Sequence, residues 1–229
     1  QAESEPELAM TINAVAAGEV ARGARLRGAP VIQISTDYVF DGTLGRPCRE
    51  TDPVSPLGVY GRTKLAGEKA VAEANPDHVI LRTSWVYSPF GKNFVKTMLR
   101  LAETKDEIGV VSDQVGNPTS AFVIAEGIMS VIAGLMFRDA SGFSGIYHLA
   151  GHGSASWYDV ACTIFDIAGQ RLDRVPIVKP IATADYPTPT KRPADSRLDT
   201  TLFAETFEYD APPWRTSVDD CVMRLLGVV

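Results

Sequence analysis

The stretch Val31-Ile32-Gln33-Ile34-Ser35-Thr36-Asp37 decides the fold. Val31 to Ser35 is a short, uncharged, β-branched run that stops at a polar Thr-Asp turn, as a strand buried on both faces of a parallel sheet does. Before it, Ala29-Pro30 breaks a helix opened by Pro6 between Glu5 and Glu7, and Leu8, Ile12, Val15, Val20 and Leu26 give that helix an irregular apolar stripe up to Gly28. After it, residues 41–56 are rich in Gly and Pro and read as a loop. Helix formers dominate Leu57 to Ala74, with Leu65, Ala66, Ala70 and Val71 on one side and Lys64, Glu68 and Lys69 spaced for surface pairs. His78-Val-Ile-Leu-Arg82 is the next strand. Strand, long crossover and strand form a βαβ unit, which makes the two strands parallel and lays helices over the sheet. The fold class is α/β.

Alternation continues beyond this unit. Asn93 to Glu103 and Ala121 to Met136 read as helices, Gly109-Val-Val and Ile146-Tyr-His-Leu as strands, and Ser156 as the cap of a helix reaching Ala168. Pro187, Pro189 and Pro193 mark Thr183 to Asp195 as a surface loop. Two units are expected: residues 1–115, carrying the βαβ unit, and a smaller lobe over 116–229, with interleaved boundaries.

Composition excludes several classes. The 229 residues are 45% hydrophobic and 22% charged, with 19 Gly and 15 Pro in no repeating pattern, which rules out collagen, solenoid and disordered chains. A net charge of −6 gives no electrostatic footprint for nucleic acid or an acidic membrane surface. The longest apolar run, Val123 to Phe137, is broken by Glu126 and Ser130 and is shorter than the ~20 residues of a membrane span. Cys48, Cys162 and Cys221 form neither a disulfide framework nor a zinc spacing, so the cytoplasm is the expected compartment. His78, His148 and His152 have no ligand spacing, and no metal is expected.

Chemistry enters with Tyr60-Gly-Arg-Thr-Lys64. The i, i+4 spacing puts a phenol and an ammonium one turn apart on one helical face, and a nearby cation favours the phenolate, making the tyrosine a better proton carrier near neutral pH. Alone, the pair reads equally as an exposed tyrosine with a solvated lysine. Ser35-Thr36-Asp37 stands at the carboxyl end of the strand, where open α/β sheets have their ligand crevice. A Thr36 hydroxyl there could hold a substrate carbonyl for protonation by Tyr60, or the three polar residues could simply satisfy the turn.

Several ordered segments narrow the choice. Ile34-Ser-Thr-Asp-Tyr-Val-Phe-Asp-Gly42, Tyr60-Gly-Arg-Thr-Lys-Leu-Ala-Gly-Glu68 and Leu81-Arg-Thr-Ser-Trp-Val-Tyr87 together resemble the dTDP-4-dehydrorhamnose reductases, a family of extended short-chain dehydrogenase/reductases. The likeness continues through Asn93-Phe-Val-Lys-Thr-Met-Leu99, Asp113-Gln-Val-Gly-Asn-Pro-Thr119 and Arg192-Pro-Ala-Asp-Ser-Arg-Leu198, nearly the whole chain. It implies a Rossmann-like doubly wound parallel sheet with a small carboxy-terminal substrate lobe. It also implies reduction of the C4 ketone of dTDP-4-dehydro-L-rhamnose to dTDP-L-rhamnose by NADPH, or NADH. By the family's pattern Tyr60 is the proton donor, Thr36 orients the carbonyl, and Lys64 holds the nicotinamide ribose and lowers the tyrosine pKa. Ser35, Tyr60 and Lys64 would meet the cofactor. Tyr38 and Trp85 would line the sugar site, with core packing as their plainer role. Asn93, Gln114 and Arg192 would touch the nucleotide-sugar, Arg192 best of all because guanidinium suits a pyrophosphate, or it makes a loop salt bridge. Asn13 matches an asparagine of the preceding helix.

The family pattern opens with a strand and a Gly-rich turn for the cofactor pyrophosphate, and neither precedes Ser35-Thr36 in these residues. The expectation is a chain whose amino-terminal strands, ~60–70 residues or two βαβ units, lie outside it, leaving the triad with weak cofactor binding. The resemblance allows a homodimer and implies no nucleic-acid or membrane partner. The alternatives are a non-catalytic member resembling the regulatory subunit of methionine adenosyltransferase, or a reductase or epimerase of another nucleotide-sugar. Thr36, Tyr60 and Lys64 together favour an enzyme.

Overall fold

The computed structural model describes residues 1–137, 142–188 and 190–228. At its centre is a three-stranded parallel sheet of order β1-β2-β7, built from β1 Val31–Thr36, β2 His78–Thr83 and β7 Gly145–His148. β1 and β2 pair from Val31↔His78 to Thr36↔Thr83, joined by the crossover helix α3, Val59–Ala74. Val79, Ile80 and Leu81 are buried, as a strand covered on both faces requires.

The amino-terminal helix is continuous but not uniform: α1 Pro6–Met10 runs through a π-helical segment, Thr11–Ala16, into α2 Ala17–Arg25. Its apolar stripe does not face the core. Leu8, Ile12, Val15, Val20 and Leu26 are all exposed, and the helix packs on α3 through Ala14, Gly18 and Ala21. Small residues let the backbones approach closely: a Cβ on Gly67 of α3 would collide with the Asn13 carbonyl oxygen, and one on Gly61 with that of Tyr38. The buried face of α3 is likewise Gly61, Thr63, Gly67, Glu68 and Val71. Glu68, expected in a surface pair, is 3% exposed, because Arg82 on β2 supplies its counter-charge inside.

The remaining helices are α4 Phe94–Ala102, α5 Ala121–Phe137, α6 Trp157–Ala168, α7 Thr201–Phe207 and α8 Trp214–Leu225. α4 to α6 match the sequence expectation, and Ser156 caps α6 in a capping box with Asp159. A second parallel pair joins β4 Glu107–Val111 to β9 Ile177–Ile181, and short pairs join β3 Val86–Tyr87 to β6 Thr119–Ser120 and β5 Val115–Gly116 to β8 Ala155–Ser156. Thr183–Asp185 forms one 3-10 turn within the expected loop, in which Pro189 lies outside the described residues. One core cluster lies between the sheet, α5 and α7, around Leu81, Val131, Tyr147, Leu149, Phe203 and Phe207. A second unites α4, α6, α8 and β4 around Val95, Ile108, Ile164, Phe165, Trp214 and Val218. Among the described residues no helix is long and apolar enough to cross a membrane.

Candidate active site

The site forms where β1 ends and α3 begins. Thr36 is the last residue of β1 and is buried, and its hydroxyl donates to Asp37 Oδ1 at 2.9 Å while accepting from the Tyr38 amide at 3.2 Å. The chain then turns through a 3-10 segment, Asp37–Val39, which sets the Tyr38 ring edge-on to that of Tyr60 with centroids 5.9 Å apart. Tyr60 sits in the first turn of α3 and is 38% exposed, so its ring opens outward. Desolvation of its phenol still raises the pKa above the ordinary tyrosine value, the nearby Thr36 hydroxyl draws it back, and Asp37 pushes it up again. At neutral pH the phenol keeps its proton.

Lys64, one turn along, directs its ammonium to the Ile34 carbonyl oxygen at 2.6 Å. Burial lowers its pKa and Glu68 opposes that. The tyrosine pKa is raised here rather than lowered as expected from Lys64, which is not among the groups that shift it. The Ser35 hydroxyl is committed below the cleft, donating to Glu68 Oε1 at 2.5 Å. Asp37, read from sequence only as a turn residue, is 3% exposed, and burial lifts its carboxyl to about 7 against the opposing pull of the nearby Ser196 and the hydrogen bond from Thr36.

A second part of the site adjoins this one. Trp85 follows β2 with φ of 48°, a conformation a bulky residue adopts only under constraint from its surroundings. Its ring stacks on Trp157, centroids 3.7 Å apart and planes within 5°. Trp157 in turn lines a cleft of about 610 Å³ with Phe94, Met98, Gln114, Tyr186 and Arg192. Arg192 is exposed at the edge of this cleft and its charge is felt at Tyr38, which links the cleft to the Tyr38–Tyr60 pair. Gln114 is buried, with its amide donating to the Thr183 hydroxyl at 3.0 Å.

Two candidates are spent on local structure. Asn93 is the N-cap of α4, accepting from the Lys96 amide at 3.2 Å and donating to the Ser88 carbonyl at 2.6 Å. Asn13, in the π-helical segment, donates to the Thr63 hydroxyl at 3.0 Å and so braces α3 from behind. Thr36, Tyr38, Tyr60 and Lys64 are brought together. Gln114 and Arg192 line the adjoining cleft, Trp85 stacks on its Trp157, and Asn93 is in neither set. Phe94, Trp157 and Tyr186 were missed in the sequence, where nothing distinguishes a cleft-lining aromatic from a core one.

Comparison with known proteins gives the family. The family model described as the RmlD substrate binding domain matches residues 1–226. The dTDP-4-dehydrorhamnose reductase of Sinorhizobium fredii is 47% identical over 226 residues, 99% of this chain and 76% of that protein, and that of Salmonella typhimurium is 44% identical over 220 residues, 95% and 73%. Among solved structures, a dTDP-4-dehydrorhamnose reductase from Clostridium acetobutylicum superposes with a TM-score of 0.89 at 40% identity, covering 98% of this chain and 76% of that one. The enzyme from Bacillus anthracis, in complex with NADP, gives 0.89 at 35% identity with the same coverage. With the strand-tip hydroxyl, the tyrosine and the lysine all in the matched region, the chain belongs to the dTDP-4-dehydrorhamnose reductase family.

Proposed function

We propose that this protein reduces the C4 ketone of dTDP-4-dehydro-L-rhamnose to the alcohol of dTDP-L-rhamnose with NADPH, Tyr60 giving the proton. The observation that carries the reading is the part-exposed, protonated Tyr60 beside the buried Thr36 at the carboxyl end of a parallel strand, with the Lys64 ammonium one helical turn along. When bound, NADPH supplies the hydride that adds to the carbonyl carbon. The carbonyl oxygen takes the Tyr60 proton as its charge develops, and Thr36 holds that oxygen in reach. Lys64 fits the nicotinamide end of the cofactor because its half-buried ammonium lies one turn from the phenol, at the strand end where such cofactors are held. Ser35 serves from beneath, through Glu68.

Tyr38 and Trp85 flank the sugar, and the 610 Å³ cleft takes the nucleotide, with Arg192 at its edge for the pyrophosphate and Gln114 within. On this reading the division into residues 1–115 for chemistry and 116–229 mainly for substrate is interleaved: Phe94, Met98 and Gln114 line the cleft beside Trp157, Tyr186 and Arg192, and β7 crosses into the central sheet. Retention of all three reacting side chains favours the enzyme over a binding-only relative.

The test uses the full-length protein with NADPH and a panel of dTDP-, GDP- and UDP-4-keto sugars, following absorbance at 340 nm (a standard NADPH assay). Oxidation with the dTDP-sugar is expected, and Tyr60→Phe is expected to lower kcat by about 10²–10⁴ with a milder change in KM. Absence of oxidation with every keto-sugar, or full turnover by Tyr60→Phe, would overturn the assignment.

A further inference from the structure

Three consecutive residues of β1 are met by three successive turns of α3. Thr36 lies beside Tyr60, Ile34 receives Lys64, and Ser35 donates to Glu68. The spacing i, i+4, i+8 keeps the three helical side chains on one face. Glu68 is the innermost of them. Its carboxylate receives Arg82 through a two-pronged contact, Nε to Oε1 at 2.9 Å and a terminal nitrogen to Oε2 at 2.7 Å. Both side chains of that pair are 2% exposed. Arg82 comes from β2, directly across the ladder from Ser35. It also lies over the Phe40 ring, 5.1 Å from the centroid, just past the turn that carries Tyr38.

A buried ion pair of this kind contributes little net stability, because desolvation cancels most of the attraction. What it does supply is a fixed geometry: two strands and one helix meet at one carboxylate, directly behind the reacting groups. We propose that Glu68 is a positioning residue, which through Ser35 and Arg82 sets the register of α3 on β1 and so the meeting of Tyr60 with Thr36. It touches neither substrate nor cofactor. The proposal rests on the reductase reading for its kinetic consequence, and its structural part can be measured without turnover.

The decisive variant is Glu68→Leu with Arg82→Met, which replaces the pair by apolar side chains and avoids leaving one charge buried alone. Ser35→Ala, which removes a single hydroxyl, covers the case in which the double variant fails to fold. In the full-length protein the folded double variant is expected to lose about tenfold or more in kcat, with KM for both substrates within about threefold, as misplacement of reacting groups gives. Ser35→Ala is expected to lose kcat in the same sense and to a smaller extent. A purely structural role would lower the melting temperature and leave kcat of the folded protein alone. Hydrogen exchange supplies the second readout: amides 59–64 are expected to lose protection about tenfold in either variant relative to those of α6. Unchanged exchange at 59–64 overturns the proposal whether or not the wild type reduces the ketone. Unchanged kcat in an active enzyme does so too. An inactive wild type with the exchange change present would sink the reductase reading and leave the positioning role standing.

Discussion

Asp37 carries a carboxyl into a place almost without water, and burial lifts its pKa from 3.8 to about 7. Above about pH 4 the unfolded chain releases this proton while the folded chain keeps it, so the group's contribution to stability is whole below that pH and lost as pH rises through about 7. Asp37→Asn keeps an acceptor for the Thr36 hydroxyl and removes the titration. Urea melts are expected to show the variant gaining on the wild type from pH 4 upward, by on the order of 4 kcal/mol at pH 8, at 1.36 kcal/mol per pKa unit. A difference that stays constant across that range would count against a buried neutral acid. Thr36, Tyr60 and Lys64 were legible because a strand end and an i, i+4 spacing lie in the local sequence. Asp37 and Glu68 were not: their burial is decided by Ser196 and Arg82, which no local pattern connects to them.

At the scale of elements, the contact of the amino-terminal helix with α3 reverses the usual amphipathic rule. Its large apolar residues face outward and its small ones face the partner, because a close backbone approach here leaves no room for side chains. Two glycine substitutions separate this effect from helix propensity. Gly23→Ala in α2 meets nothing within 4 Å and is expected to stabilise by about 0.5–1 kcal/mol. Gly67→Ala gains the same propensity but drives a methyl into the Asn13 carbonyl, and the clash is expected to win, destabilising by about 1–3 kcal/mol or more. Equal effects of the two in denaturant melts would refute the tight packing. The sequence disclosed that a helix was present and where it broke, at Ala29-Pro30. It hid which face was buried, since a stripe of Leu, Ile and Val ordinarily points to the core.

Across the whole molecule, segments far apart in the chain are paired more than once. β7 returns to the central sheet, β9 pairs with β4, and the two core clusters are stitched together by β2 and the segments that follow it. All three tryptophans, Trp85, Trp157 and Trp214, belong to or pack on the α4-α6-α8 cluster, while most of the central sheet packs on the other. Tryptophan fluorescence and far-ultraviolet circular dichroism are therefore expected to report one coincident urea transition. Two separated midpoints would mean that the two clusters unfold independently. The β1-α3-β2 unit was plain in the sequence because its strands are continuous and its crossover long. The β4-β9 pair, α7 and α8 were not, since their partners are distant in the chain and their apolar runs short.

The zipper between β1 and α3 also constrains descent. Adding or deleting one residue between Tyr60 and Glu68 would swing part of that helical face by about 100°, and the same change inside β1 would flip its side chains to the opposite side. These two segments can therefore diverge by exchange of residues but not by change of length, whereas in the Gly- and Pro-rich stretch between them growth or shrinkage is confined to either side of Cys48, whose amide and carbonyl pair with Arg197 and Asp199.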